Sequence, residues 1–241
     1  MKTEHSGAKL LLVVVAKEPV PGRVKTRLFP HLSPEEATGL YETFLRDTLG
    51  EMGTLQEIDL AIAFTPAEAK ETFTSFASGR FGLFPQRGKD LGERLLNIFV
   101  EKLGQGYDAV SIINSDSPDL QRAMVMESFR LLLSEEAGVV FGPCHDGGYY
   151  LVGLRAIRPE LFRNIPWSTD RVLSMSLEKA RSMGLKTRLL PFWNDIDTFE
   201  ELLSFYKRYK GRTQTSPWAG EKTFSFLLTL KKFRMFQGRT S

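Results

Sequence analysis

The chain has 241 residues, of which 42% are hydrophobic and 25% are charged, and its formal net charge at pH 7 is +3. This composition is typical of a globular domain and excludes a disordered chain. The single cysteine, Cys144, excludes an internal disulfide framework and a cysteine-rich zinc site, and it suits a reducing cytoplasm.

The charge is unevenly distributed along the sequence. The segment 207–241 contains nine Lys or Arg residues and one acid, Glu221, so it carries a net charge of +8 and leaves −5 on the remainder. We therefore predict a weakly acidic domain over residues 1–210, followed by a basic C-terminal extension over residues 211–241.

Short apolar runs rich in β-branched residues predict strands that are buried on both faces. These runs are 11–16, 58–64, 109–114 and 138–141, with 186–191 as a further candidate. The first run is too short to span a membrane, and no other stretch is long and apolar enough to do so. We expect a cytoplasmic protein.

Amphipathic segments with helix-capping signals alternate with the strands. Helix starts are predicted at Ser33-Pro34, Thr65-Pro66, Asp90, Ser117-Pro118, Ser168 or Thr169, and Thr198. The alternation predicts an α/β fold of Rossmann-like type, with a mostly parallel mixed sheet flanked by helices. Ligands of such sheets bind beyond the carboxyl ends of the strands, so the loops there are the candidate site.

The loop that follows the first strand is strongly basic. Residues 17–27 contain four cations and a Pro-Gly turn, which suits the binding of a polyphosphate. Lys25 and Arg27 are two residues apart and can point at one anion if the segment is extended. Pro19 and Val24 stand where a Walker A loop requires glycine. The alternative is a solvated basic loop.

Aspartates follow two of the predicted strands. Asp116, at the end of the third strand, is predicted to bind Mg²⁺, because a buried strand end tolerates a carboxylate only if it is paired or metal-bound. Ser117 is expected to cap the next helix, and Asp119 to lie in its first turn. Asp195 and Asp197, after the last strand, are candidates for the second metal carboxylate, with helix capping as the alternative for Asp197.

A glycine-rich loop, 142–150, follows the fourth strand. Its adjacent Gly147 and Gly148 allow a ligand to approach the backbone closely. Asp146 is predicted to position an acceptor or to act as a base, with a turn-forming role as the alternative. Neighbouring Cys144 and His145 point to opposite faces of a strand, so a cysteine nucleophile is not expected.

Six motifs in this order resemble a family of bacterial GT-A-type transferases, often labelled glycosyltransferases of arsenosugar-type pathways. The motifs are AKEPVPGRVKTRL, GKDLGERL, NSDSPDL, GPCHDGGYYLVGL, PWST and NDIDTFEEL. The resemblance covers residues 10–209. More distantly, the chain looks like the guanylyltransferases for molybdenum cofactor and for 2-phospho-lactate. The resemblance implies a nucleotide-diphospho-sugar transferase fold.

The resemblance also implies roles for individual residues. Asp116 matches the metal aspartate of the family, Asp197 the position that completes the metal site, and Asp195 is a weaker candidate, with Mg²⁺ or Mn²⁺ as the cofactor. Tyr149 extends the acceptor-side loop of Asp146, Gly147 and Gly148. The residues expected to contact the nucleotide are Ala16, Lys17, Gly22, Lys25, Arg27, Asp90, Gly92, Arg94 and Ser115.

Three functions are compatible with these features. The first is transfer of a sugar from a nucleotide-sugar to a small acceptor, with Lys25 and Arg27 stabilising the departing diphosphate. The second is nucleotidyl transfer from a nucleoside triphosphate to a phosphorylated small molecule. The third is a non-enzymatic anion- or nucleic-acid-binding module that uses the extension, although no nucleic-acid recognition motif is visible. The extension could also contact a membrane surface, its own domain or a second copy of the chain.

Overall fold

The structure, a computed structural model, describes residues 7–212 and 217–237. In these residues the sheet has seven strands in the order β3-β2-β1-β4-β6-β5-β7, and β6 runs antiparallel to both of its neighbours. The strands are β1 Leu10–Lys17, β2 Asp59–Thr65, β3 Gly82–Pro85, β4 Ala109–Ile113, β5 Val139–Pro143, β6 Tyr149–Leu154 and β7 Thr187–Leu189.

Within the described residues, eight α-helices connect and cover these strands. They are α1 Pro34–Met52, α2 Lys70–Ala77, α3 Leu91–Gly104, α4 Arg122–Leu133, α5 Val172–Ser182, α6 Phe199–Tyr209, α7 Glu221–Thr229 and α8 Lys231–Gln237. Helix α1 begins with the predicted Ser33 capping box and has Pro34 at its first position, while Thr198 forms a second capping box at α6. None of the helices in the described residues is long and apolar enough to span a bilayer.

The sheet separates two hydrophobic cores. One face packs against α1, α2, α4 and α6–α8, and its largest side chains include Phe44, Phe129 and Phe205. The other face packs against α3 and α5, through residues such as Phe99 and Ala180. The predicted α/β architecture, a mostly parallel mixed sheet flanked by helices, is confirmed.

Several predicted boundaries are wrong. Strands β3 and β6 were not predicted, and Thr65 ends β2 instead of capping a helix. Helix α4 begins at Arg122, so Ser117 is not its N-cap and Asp119 lies outside its first turn. The side chains of Ser117 and Asp119 are instead used in hydrogen bonds that hold the candidate site together.

The described part of the basic extension packs on the domain. Asp47 of α1 accepts hydrogen bonds from the backbone N–H groups of Lys222 and Thr223 at the start of α7, at 3.0 and 2.7 Å. Leu227 and Phe233 are fully buried in the same core as α1 and α6. Residues 1–6, 213–216 and 238–241 of the two predicted segments lie outside the described residues.

The topology directs attention to the gap between β1 and β4. The chain runs outward from β1 to β2 and β3, then returns to place β4 on the other side of β1. Such a switch point leaves a crevice at the carboxyl ends of the two strands. The basic first loop and the Asp116 loop flank this crevice.

Candidate active site

The first loop turns the Lys25 side chain toward the sheet. The Lys17 ammonium donates a hydrogen bond to the Arg23 carbonyl oxygen at 2.6 Å, and buried Val24 and Leu28 anchor the loop to the core. Lys25 has a left-handed backbone with φ of 50°. Because this conformation is unusual for a residue with a Cβ, the fold holds Lys25 in a strained position, as is common at functional sites.

The Lys25 ammonium joins two carboxylates from distant parts of the chain. It lies 2.5 Å from Asp116 Oδ1 and 2.8 Å from Asp197 Oδ1, and it donates to the Ile196 carbonyl oxygen at 2.7 Å. Its side chain is only 4% exposed. Burial alone would lower the pKa of Lys25, but the two carboxylates outweigh it and raise that pKa. The Lys25 charge, in turn, lowers the pKa of Asp197.

Asp195 docks its segment against the Asp116 loop. The Asn114 amide donates to both Asp195 oxygens at 3.0 Å, and the Ser117 hydroxyl donates to Oδ1 at 2.5 Å. Beside it, the Ile196 N–H donates to the Asp116 carbonyl oxygen at 2.9 Å. Burial and the nearby Asp116 charge raise the pKa of Asp195 to about 6. Protein donors thus occupy both Asp195 oxygens, which favours a positioning role over direct metal contact.

Asp119 ties the same loop to α6. Its carboxylate, 1% exposed, accepts hydrogen bonds from Trp193 Nε1 at 3.1 Å, from the Arg208 guanidinium at 2.7 Å and from the Tyr209 hydroxyl at 2.9 Å. The two aspartates of the Asp-Ser-Pro-Asp motif therefore differ in role: Asp116 faces the crevice, and Asp119 holds the interior. The predicted position of Asp119 in the first turn of a helix, where it would complement the helix dipole, is therefore wrong.

A cavity of about 380 Å³ opens beside Lys25 and the two carboxylates, which is within the size range of small-molecule sites. Twelve of its lining residues belong to the six sequence motifs or lie directly beside them: Val15, Ala16, Lys17, Arg23, Val24, Lys25, Leu91, Arg94, Asn114, Ser115, Asp116 and Asp197. The others are Tyr41, Thr65 and Gln86. The carboxyl ends of β1, β2 and β4 thus line one cavity.

Two cavity residues that the sequence did not indicate organise its floor. The Tyr41 hydroxyl accepts from the Lys17 N–H at 3.1 Å and bonds to the Ser115 hydroxyl at 2.9 Å, which bridges the first loop and the Asp116 loop. The Gln86 amide donates to the carbonyl oxygens of Ala16 and Ala63 at 3.2 and 2.8 Å. Tyr41 lies at a helical spacing that is equally typical of a core residue, so only the fold reveals its place.

The carboxylate pair fits a hard divalent cation. Within residues 7–212 and 217–237, no cluster of three or more His, Cys, Asp or Glu side chains is arranged to hold a metal ion. Mg²⁺ needs only one or two protein carboxylates when water and phosphate oxygens complete its octahedron. Asp116 and Asp197 already converge on one positive charge, so the donor set suits Mg²⁺ or Mn²⁺.

Other predicted residues lie further from the carboxylate pair or serve packing. The Arg27 guanidinium is 64% exposed and lies 3.8 Å from Asp197. Gly22 forms the turn of the first loop, with φ of 82°. Asp90 caps α3 by accepting from the Glu93 N–H at 2.9 Å. Gly92 is buried where a Cβ would overlap Trp167, which gives it a packing function.

The predicted acceptor loop lies against the 166–171 segment. Asp146 is exposed and accepts a hydrogen bond from the Gly148 N–H at 2.9 Å. Gly147 has φ of 88°, and a Cβ there would overlap the Asp170 carbonyl. The Tyr149 ring packs on Phe141, with centroids 5.2 Å apart. The acceptor-binding roles of this loop stay predictions.

The structure is consistent with an inert Cys144. The thiol is buried, and burial together with the Asp195 charge raises its pKa far above the usual range. His145 is exposed and stacks on Phe192 with ring centroids 5.1 Å apart. A thiolate nucleophile is therefore not available at neutral pH.

Comparisons with known sequences identify the family of this chain and a relative with a named activity. Residues 48–169 match the family described as "Uncharacterized protein conserved in bacteria (DUF2064)". The chain is 29% identical over 189 residues to the 2-phospho-L-lactate guanylyltransferase of Methanothermobacter thermautotrophicus, a match that covers 74% of this chain and 76% of that protein.

Solved structures share the fold. A protein from Desulfovibrio desulfuricans G20, provisionally named a nucleotide-diphospho-sugar transferase, is 31% identical with a TM-score of 0.85, covering 95% of this chain and 98% of that one. A cytidylyltransferase from Leptospira borgpetersenii is 11% identical with a TM-score of 0.56, covering 97% and 98% respectively, and it supports the fold alone. The predicted nucleotide-diphospho-sugar transferase fold is confirmed.

Proposed function

This chain belongs to the bacterial protein family DUF2064, and from that premise we propose that it is a metal-dependent nucleotidyltransferase. The chain is a transferase, as the guanylyltransferase and nucleotide-diphospho-sugar transferase relatives indicate. In the proposed reaction it takes a nucleoside triphosphate, with GTP as the first candidate, and a small phosphorylated acceptor. The guanylyltransferase named above supports this choice of reaction.

The observation that carries the proposal is the position of Lys25. One ammonium is shared by Asp116 and Asp197, 81 residues apart in sequence, at the edge of a cavity of about 380 Å³. Lys17, Arg23 and Arg94 also line that cavity. A cavity with this excess of cations suits a triphosphate, which carries more negative charge than the diphosphate of a nucleotide-sugar.

The chain's own residues supply the electrostatics of the reaction. An acceptor oxygen attacks the α-phosphorus, the bond to the bridging oxygen breaks, and pyrophosphate leaves with the negative charge. Lys25 and Arg27 stabilise that charge on the leaving group. Asp116 and Asp197 would hold Mg²⁺ or Mn²⁺, which neutralises phosphate charge when bound. Asp146 would orient the acceptor.

Glycosyl transfer is the second candidate. It is favoured by the provisional name of the Desulfovibrio protein, which shares 31% identity with this chain. The first loop also has two prolines and a single glycine between Ala16 and Leu28, unlike the glycine-rich loops of many nucleotidyltransferases. Assignment to the arsenosugar-type subgroup belongs to this candidate. Both reactions release a diphosphate group, so the same cations and carboxylates would serve either one.

The non-enzymatic alternative has less support. Leu227, Leu230 and Phe233 of the extension are buried in the core of the domain. These apolar residues are therefore not exposed to form a face that binds a membrane or a partner. Asp47 of α1 also holds the start of α7 through two hydrogen bonds. We expect the extension to serve its own domain before any nucleic acid, membrane or second copy of the chain.

A binding and product assay tests the proposal. The purified chain is titrated calorimetrically with each nucleoside triphosphate and with UDP- and GDP-sugars, in each case with Mg²⁺, and pyrophosphate release is measured with phosphorylated small acids as acceptors. We expect binding of one triphosphate, lost in Asp116→Ala, and acceptor-dependent pyrophosphate release. Binding of a nucleotide-sugar without any triphosphate would favour glycosyl transfer. Binding of neither ligand would refute the transferase site.

A further inference from the structure

The C-terminal extension meets the candidate site on its outer side, through α8. Lys232 Nζ lies 2.8 Å from His31 Nδ1 and 4.6 Å from the centroid of the Phe199 ring. The His31 ring stacks on Phe199 with centroids 4.2 Å apart. Phe233 is fully buried, with its ring 5.8 Å from that of Phe199. We call these four side chains the outer clasp.

The outer clasp joins the same two segments as the ion pair inside the site. His31 follows Lys25 by six residues on the first loop, and its N–H donates to the Leu28 carbonyl oxygen at 2.8 Å. Phe199 follows Asp197 by two residues and is the first residue of α6. The two segments are therefore held together twice, inside by Lys25 and Asp197 and outside by the clasp.

The inner contact is the one that ligand binding must disturb. Lys25 has three N–H donors, and Asp116, Asp197 and the Ile196 carbonyl already engage all three. For Lys25 to contact a phosphate oxygen, at least one of these partners has to be released. The clasp lies outside the cavity lining, so it can stay closed during that exchange.

We propose that the outer clasp is a positioning device that keeps Asp197 beside the first loop when Lys25 turns to a bound diphosphate group. The proposal rests on the function proposed above. It gives the extension a role in the site without any contact between extension and ligand. His31, Phe199, Lys232 and Phe233 are thus positioning residues and not catalytic ones.

Inorganic pyrophosphate with Mg²⁺ is the probe, because both candidate reactions release a diphosphate group. Lys232→Met keeps an apolar stem over Phe199 but removes the hydrogen bond to His31. Lys231→Met is the matched control, since Lys231 is exposed on the same helix and makes no hydrogen bond or ion pair within the described residues. We expect affinity about 3- to 10-fold weaker for Lys232→Met and unchanged for Lys231→Met, by calorimetry well below either melting temperature.

A second set of variants separates positioning from simple stability. His31→Ala should weaken binding like Lys232→Met, whereas His31→Phe, which retains the stacking on Phe199, should restore part of the affinity.

Two results would overturn the clasp. One is equal affinity of Lys232→Met and wild type for pyrophosphate, even if the variant melts at a lower temperature; this outcome would leave the proposed function intact. The other is a wild-type protein that binds no pyrophosphate with Mg²⁺, which would refute the proposed function together with the clasp.

Discussion

Asp116 and Asp119 lie three residues apart, yet their substitution should separate function from stability. Asp119→Ala removes a carboxylate that three donors share: Trp193 Nε1, the Arg208 guanidinium and the Tyr209 hydroxyl. The Asp119 side chain is 1% exposed, so water does not readily replace it. Trp193 and Tyr209 are left with donors that lack a partner, which is the costly way to lose a hydrogen bond.

The expected loss of stability depends on how deeply Asp119 and Arg208 are buried. Breaking a buried ion pair by removing one partner costs about 3–5 kcal/mol. Arg208 is 39% exposed and can regain water, so we expect a loss of about 2–4 kcal/mol in the free energy of unfolding. For a chain of this length that corresponds to a fall in Tm of roughly 5–15 °C.

Asp116→Ala should behave in the opposite way. Asp116 is about one-third exposed, and without it the Lys25 ammonium keeps Asp197 and the Ile196 carbonyl. We expect a stability change of at most about 1 kcal/mol, as for most partly exposed positions. Binding of Mg²⁺ with a nucleotide or with pyrophosphate should be abolished.

Urea denaturation and calorimetric titration of both variants test this pair. At a temperature at which it is folded, Asp119→Ala should still bind ligand, although more weakly than wild type because Asp119 ties the Asp116 loop to α6, while Asp116→Ala should be stable and should not bind. The reasoning fails if Asp116→Ala proves the more destabilised variant. It also fails if Asp119→Ala unfolds within about 1 kcal/mol of wild type, the scale of an ordinary surface change.

Three further predictions concern single residues. Lys25→Met should bind Mn²⁺ about tenfold more tightly in the absence of nucleotide, because no tethered ammonium competes for the carboxylates; weaker binding, by calorimetry, would contradict this. Gly147→Ala and Gly106→Ala both place a Cβ at positive φ, and this backbone strain should lower the free energy of unfolding by about 1–2 kcal/mol in each variant. Gly147→Ala should lose more than this in urea denaturation, because its Cβ also overlaps the Asp170 carbonyl. Equal losses would rule out that clash. Cys144 should resist a thiol reagent at pH 8 until urea unfolds the chain. Burial raises the pKa of its thiol, so the thiol stays protonated and unreactive at this pH. Rapid labelling of the native protein would contradict this prediction.

The fold could be predicted where the hydrophobic pattern and the helix-capping signals indicate the same elements. The buried β-branched runs of β1, β2 and β4 have no other good explanation, and the Ser33 and Thr198 capping boxes mark true helix starts. Strand β6 was missed because its residues follow a Gly-Gly pair that suggested a ligand loop. Strand β3 was missed because it is four residues long and ends in Pro85.

The grouping of the candidate site residues could be predicted where they lie on loops after strands. Asp116, Asp197 and Lys25 were predicted because carboxyl strand ends meet at one edge of a parallel sheet. The direct Lys25 contact with both carboxylates was not, because it depends on a left-handed backbone at a residue other than glycine. Ser117 and Asp119 look like helix-start residues in sequence, and only their tertiary partners, Asp195 and Arg208, reveal otherwise.

The lysine between the carboxylates also affects whether the chain needs a metal ion in order to fold. Many metalloproteins fold only once their ion arrives, because their ligands repel one another until then. Here the chain supplies its own counterion, since the Lys25 ammonium pairs with both Asp116 and Asp197 in the folded chain. If the proposed metal-dependent reaction is correct, a chelator should abolish activity without unfolding the chain.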